Sequence, residues 1–215
     1  MTLKTLVRLA LLVWILAGSG SLQQAFGQDL PTASSQKAEA YKSEIARYQS
    51  SGNKRKELEY INKLAFLYWN HKLYDQARQQ FEQSLQINQS LGNQNGVKRT
   101  HYYIGMILSE SENYNEAIQS FQKGLELARK LKMKTSRLSG QLNLAQTYQL
   151  MGDYASSNTH AERALSLAKE LNDLKRVRTS YGLLSENHKR LGNSEESIRY
   201  RSEERRVGKE CATGC

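Results

Sequence analysis

Residues 113–127 read "NYNEAIQSFQKGLEL". Tyr114, Ala117, Ile118, Phe121 and Leu125 recur at steps of three and four, which places them on one face of an α-helix. The same spacing stands 40 residues earlier in "LYDQARQQFEQSLQI" (73–87), 40 residues later in "DYASSNTHAERALSL" (153–167), and again in "NSEESIRY" (193–200). Ala77, Ala117, Ser157 and Ser197 share one small-residue position. Phe81, Phe121 and Ala161 share a second, and Leu85, Leu125 and Leu165 a third. A period of this length marks a stack of repeated units.

A second matched segment precedes each of these: "INKLAFLY" (61–68), "HYYIGMIL" (101–108), "QLNLAQTY" (141–148) and "YGLLSENH" (181–188). They align Leu64, Ile104, Leu144 and Leu184, each followed by a small residue, Ala65, Gly105, Ala145 or Ser185. The turns between paired segments carry helix stop and start chemistry. In "LMGDY" and "RLGNS", Gly152 and Gly192 suit a left-handed helix end, and Asp153 and Asn193 suit the next N-cap. Asn113, three residues before Glu116, predicts a capping box. Each unit therefore reads as a helix–turn–helix hairpin. Its small residues let the paired helices approach closely, with Ala117 expected opposite Gly105, while Tyr68, Tyr148, Phe81 and Phe121 fill the space between.

The pattern L-[AG]-x-x-Y followed by [ND]-Y-x-x-A-x-x-x-F-x-x-x-L resembles the tetratricopeptide repeat. The resemblance covers about residues 34–200: a half repeat in "KAEAYKSEIARYQ", then about three and a half repeats. Ile61, His101, Gln141 and Tyr181 stand where the family often has Trp, its closing Pro is absent, and the period is 40, not 34, as in a longer-helix variant. The resemblance implies an all-α, right-handed solenoid of antiparallel hairpins that binds a protein or peptide segment in a concave groove. In that fold the first helix of each hairpin lines the groove through positions beside its buried Leu. Carried over, these are Asn62, Lys63 and Phe66, then Tyr102, Tyr103 and Met106, then Asn143 and Gln146. Asn143 matches the family's usual peptide-contacting asparagine; Asn62 lies one residue out of that register, and Tyr103 replaces it in the second repeat.

Composition narrows the function classes. The net charge is +10, but residues 28–200 carry only 25 basic against 18 acidic side chains, too mild for a nucleic-acid-binding arm. Nucleic acid is not expected as a partner. His71, His101, His160 and His188 have no metal-ligand spacing, and the Gly-Asn turns lack the G-K-[ST] of a phosphate loop. Neither a catalytic site nor a cofactor or metal is expected. "NQS" at Asn88 is a formal glycosylation acceptor. Basic residues gather where one hairpin meets the next, at Lys54-Arg55-Lys56, at Arg129, Lys130, Lys132 and Lys134, and at Lys175-Arg176. Two readings stand there: a solvated face beside helix C-termini, or an edge that meets anionic lipid or an acidic partner.

The ends differ from the repeat. Lys4 and Arg8 precede an apolar run from Leu9 to Ala17, and Ala25-Phe26-Gly27 makes a small-x-small cleavage pattern before Gln28. Residues 1–27 are expected to be an export signal of bacterial type cut between Gly27 and Gln28, with an uncleaved anchor as the alternative. Residues 28–33 then form a short linker, and the protein is expected in the periplasm or cell envelope. At the other end, "RSEERRVGKECATGC" (201–215) puts Arg201 and Arg205 where Phe81 and Leu85 stand, so the last helix is expected to break there. Its first eleven residues also resemble the translation of a widely used sequencing-library adapter, so 201–215 are expected to be foreign to the natural protein. A break at Tyr200 would leave Leu183, Leu184 and Leu191 uncovered. The leading functional expectation is a non-catalytic, exported interaction module, the sensor or scaffold part of a longer protein. The alternative is the sensory region of a transmembrane histidine kinase or transcriptional regulator, with membrane association through a downstream segment.

Overall fold

A computed structural model describes residues 30–213, and the expected export signal with its Gly27–Gln28 cleavage site lies outside them. All regular structure among the described residues is helical: α1 (Thr32–Ser50), α2 (Lys54–Asn70), α3 (Tyr74–Ser90), α4 (Gln94–Glu110), α5 (Tyr114–Lys130), α6 (Lys134–Met151), α7 (Tyr154–Glu170), α8 (Leu174–Arg190) and α9 (Ser194–Thr213). α1 is the half repeat. α2/α3, α4/α5, α6/α7 and α8/α9 are the hairpins. The first helix begins at Thr32, directly after Pro31, whose fixed φ of −51° suits a helix entry. The linker therefore does not extend to residue 33.

One residue in every 20 ends a helix in the left-handed conformation: Gly52, Lys72, Gly92, Glu112, Lys132, Gly152, Asn172 and Gly192. The expected stops at Gly152 and Gly192 are among them. The next N–H folds back onto the helix, as from Leu73 to the Tyr68 carbonyl at 3.0 Å and from Asn113 to Leu108 at 2.8 Å, which satisfies carbonyls left open at the helix end. Asn53, Asn93, Asp153 and Asp173 cap the following helices by accepting from the backbone N–H three residues on. The capping box expected at Asn113 does not form. Its side chain donates instead to Ser111 Oγ at 3.1 Å, within the turn.

Consecutive helices pack against one another along the whole stack. The buried side chains form two clusters that divide across α6, with Leu144 in the first and Leu138, Leu142 and Ala145 in the second. Within α4/α5 the tight approach is made by Gly105 and Phe121: a Cβ on Gly105 would lie 2.7 Å from the ring. Ala117 is fully buried, and the nearest side chain to a Cβ on Gly105 is Phe121, one turn further along. Among helices not adjacent in sequence, the close pairs are α4 with α6 and α6 with α8. All three are first helices of their hairpins, so the stack is tighter on their side and they line its inner face.

The expected break at Arg201 is not seen, because α9 continues to Thr213. Its Glu and Arg residues favour helix, and Arg206 pairs with Glu203 and Glu210 at helical spacing. Arg201 and Arg205 keep the repeat's register but stay exposed, since among the described residues no further helix covers their side of α9. Val207 is buried where α3 has Ile87. Leu183 and Leu184 are buried in one cluster with Val207 of α9, and only Leu191, 45% exposed, remains open.

Two outcomes follow from this packing. Gly105→Ala should lower stability by roughly 1–3 kcal/mol in urea titrations, because the Phe121 ring must shift off its rotamer; unchanged stability would contradict the contact. Ser156, through its side chain first and its backbone N–H second, holds the Asp153 carboxyl below its ordinary 3.8. A depressed carboxylate stabilises the fold above the unfolded value and loses that contribution as pH falls through the folded value. Asp153→Ala should thus cost about 1 kcal/mol at neutral pH, and the gap from the parent should narrow below about pH 4. A gap independent of pH would show that the carboxylate does not cap α7.

Candidate functional site

The inner face is built from α2, α4, α6 and α8, and the 40-residue period sets its columns. Lys63, Tyr103, Asn143 and Leu183 share one position, Phe66, Met106, Gln146 and Glu186 the next, and Asn70, Glu110, Leu150 and Arg190 a third. Residues three, four and seven apart lie along one helix face, so these columns run side by side. The N-terminal part of the face is aromatic. Phe66 stacks on Trp69 with centroids 6.0 Å apart and meets Tyr103 edge-on at 5.0 Å. Phe81 closes the group from behind, 5.1 Å from Tyr103.

Between α4 and α6 this face opens into a groove of about 330 Å³. Met106, Ser109, Glu110 and the edge of Phe121 form one side. Asn143, Gln146, Thr147, Gln149 and Leu150 form the other. Ser109 and Thr147 bridge the floor at 3.2 Å, and Thr147 also donates to the Asn143 carbonyl at 2.9 Å. Glu110 is held at the rim by Trp69, whose Nε1 donates to Oε2 at 2.8 Å. Among the described residues the Asn143 and Gln146 amides have no hydrogen-bond partner within the chain, which leaves both donor and acceptor directed at whatever occupies the groove.

Met106, Asn143 and Gln146 thus lie together in the groove, with Phe66 and Tyr103 in the aromatic group beside it. Lys63 is exposed on the same face and paired with Glu59 at 2.7 Å. Asn62 is engaged elsewhere: its Oδ1 accepts from Ser84 Oγ at 2.8 Å and ties α2 to α3. Tyr102 does not line the groove. It is 8% exposed, its ring lies against Gly124 and Gly140, and its hydroxyl donates to the Ser136 carbonyl at 2.9 Å. One residue along a helix turns the side chain about 100° away, and the two glycines leave the space that receives it. Burial pushes the Tyr102 hydroxyl well above its ordinary range.

Glu110, Leu150 and Trp69 were not anticipated. They stand one turn beyond Met106, Gln146 and Phe66 on the same face, so extending the column by three or four residues finds them.

Towards the C-terminal end the face becomes polar. Gln149 Nε2 donates to Asn187 Oδ1 at 2.6 Å, and the fully buried Asn187 donates to Ser157 Oγ at 2.7 Å and Asn158 Oδ1 at 2.9 Å. The ring nitrogens of His188 lie against Asn158 and Asn193. His160 stacks on Tyr148 and shares a hydrogen bond with Gln141 at 2.7 Å. Burial first, then Arg163 and Arg129, pushes its pKa down. Among the described residues no three His, Cys, Asp or Glu side chains group as metal ligands, and no helix is long and apolar enough to cross a membrane. Asn88 is 1% exposed, with its amide bonded to the Ser84 carbonyl and to Asn93, so the fold hides the formal glycosylation acceptor. At the hairpin junctions, Lys54, Lys56, Lys130, Lys134 and Arg176 each pair with a carboxylate, which favours the solvated reading of that edge.

Known structures share this architecture. BtubC from P. vanneervenii superposes with a TM-score of 0.74 at 20% identity, over 82% of this chain and 74% of that one. The apo form of RapI gives 0.74 at 16% identity, over 80% of this chain and 48% of that one. A Rap protein complexed with competence and sporulation factor gives 0.64 at 16% identity, over 81% and 50%. The chain spans about half the length of these two Rap structures. At such identities the likeness is one of fold. In sequence, the tetratricopeptide repeat matches residues 57–130 and 136–202, which is most of the helical stack. With the hairpin period, the inner face of first helices and this match together, the chain belongs to the tetratricopeptide repeat family.

Proposed function

We propose that this solenoid is a non-catalytic interaction module that takes an extended or helical protein segment along the inner face of its first helices. The observation that carries the reading is the pair of unengaged amides, Asn143 and Gln146, on the wall of a groove that Met106, Phe121 and Leu150 also line. An amide that offers donor and acceptor together holds a peptide backbone whatever its sequence, and Met106, Leu150 and the aromatic group supply apolar contact for its side chains. The Rap protein with competence and sporulation factor is a similarly built stack in complex with a partner, and lends support by analogy of fold.

Asn143→Ala combined with Gln146→Ala should weaken partner capture from native envelope extracts at least tenfold without lowering the melting temperature, since both amides lie outside the core. Recovery of the same partners in the same yield by the double variant would place the binding surface elsewhere.

The order of basic, apolar and small residues in 1–27 supports a module that is exported and works in the cell envelope. Mass spectrometry of exported material should find a chain beginning at Gln28. Material that retains residues 1–27 would point to an anchor instead.

A further inference from the structure

Among the described residues, Glu110 is the one charged side chain lining the groove between α4 and α6. Its column offers Asn70, Leu150 and Arg190 at the equivalent positions, so the carboxylate belongs to this groove and not to the repeat as such. Trp69 Nε1 holds one of its oxygens at 2.8 Å and fixes the side chain at the rim. A carboxylate accepts at about four lone-pair sites; the Tyr74 hydroxyl also lies against this one, which leaves it room for a further donor, and among the described residues no Lys or Arg nitrogen lies within 4.0 Å of it. Beside it stand Met106 and Leu150, the latter 61% exposed, far more than a leucine with a partner inside the fold. Phe66 and Trp69 add an aromatic surface on the other side.

An oriented carboxylate at the end of an apolar wall fits one kind of side chain. Lysine and arginine lay an aliphatic stem along apolar surface while the charged head reaches further. A charge-assisted hydrogen bond to Glu110 would receive the head, and nearby aromatic faces attract a cation as well. Leu150 and Met106 would pack against the stem. The overall charge of +10 does not oppose this, because exposed charges beyond about 8 Å are screened at physiological salt.

We infer that the groove selects an extended peptide segment carrying a lysine or arginine, placed at Glu110, next to an apolar residue seated between Met106 and Leu150. The inference rests on the groove reading given above and specifies its partner.

The full chain, immobilised, is offered a randomised library of capped 12-residue peptides, alongside the Glu110→Gln and Asn143→Ala variants. Peptides that depend on Asn143 should show a basic residue at one position beside an apolar one. Glu110→Gln, which keeps the acceptor for Trp69, should weaken them about tenfold, abolish the basic preference and leave the melting temperature unchanged. Asn143-dependent peptides with no basic preference, or with the same preference on the Glu110→Gln variant, would overturn the assignment to Glu110 while leaving the groove in place. Enrichment of no peptide that depends on Asn143 would overturn the groove reading and this one with it.

Discussion

Hairpins stack into a continuous surface only if every helix and every turn uses the same amount of chain. Here the constraint is met by a left-handed residue every 20 positions, from Gly52 to Gly192. Helices of mostly 17 residues, about 25 Å long, fit between these points. Equal lengths keep the first helices level with one another, so Phe66, Met106, Gln146 and Glu186 fall into a column. Were one turn shorter or longer, the columns would slip and the groove would lose a wall. Half of the left-handed positions are not glycine. A side-chain-bearing residue there costs roughly 1–2 kcal/mol, and the helix-end hydrogen bonds and the burial on both sides hold it in place.

Within that frame, size decides how near the helices come. Gly105 admits the Phe121 ring, and Gly124 and Gly140 admit Tyr102 from two neighbouring helices. The aromatic side chains thereby join a hairpin to the next one as well as its own two helices. Tyr102, buried and bonded to the Ser136 carbonyl, is such a join, and this use removes it from the inner face. Asn62 is lost to the groove in a parallel way, through Ser84. Asn143 and Gln146 remain for a partner because no neighbouring side chain competes for their amides.

The inner face is graded along the stack. Aromatic contacts dominate around α2 and α4, whereas buried amides and hydroxyls link α6, α7 and α8 through Gln149, Asn187, Ser157 and Asn158. A buried polar network costs little only when every member is satisfied, and among the described residues no buried side-chain polar atom lacks a partner. The groove between α4 and α6 lies where the two regimes meet, with apolar side chains and free amides lining it together.

The helices, their turns, the hairpin pairing and the family were legible in the sequence, because the period and the apolar spacing are local properties that a repeat states several times over. Helix start and stop residues were legible for the same reason, except at Asn113 and Asn193, whose side chains meet Ser111 and His188 and not the backbone of the next helix. Other properties depend on neighbours 20 or 40 residues away. Whether Tyr102 or Tyr103 faces the groove turns on the space that Gly124 and Gly140 leave. Whether Arg201 and Arg205 disrupt the last helix turns on the absence of a covering helix over α9 among the described residues. The carboxylate of Glu110 reads as an ordinary surface charge until Trp69, 41 residues earlier, is seen to hold it. A single sequence fixes which face of a helix is apolar, since that follows from the backbone's own pitch; what each residue on that face meets is set only when the neighbouring hairpins close over it.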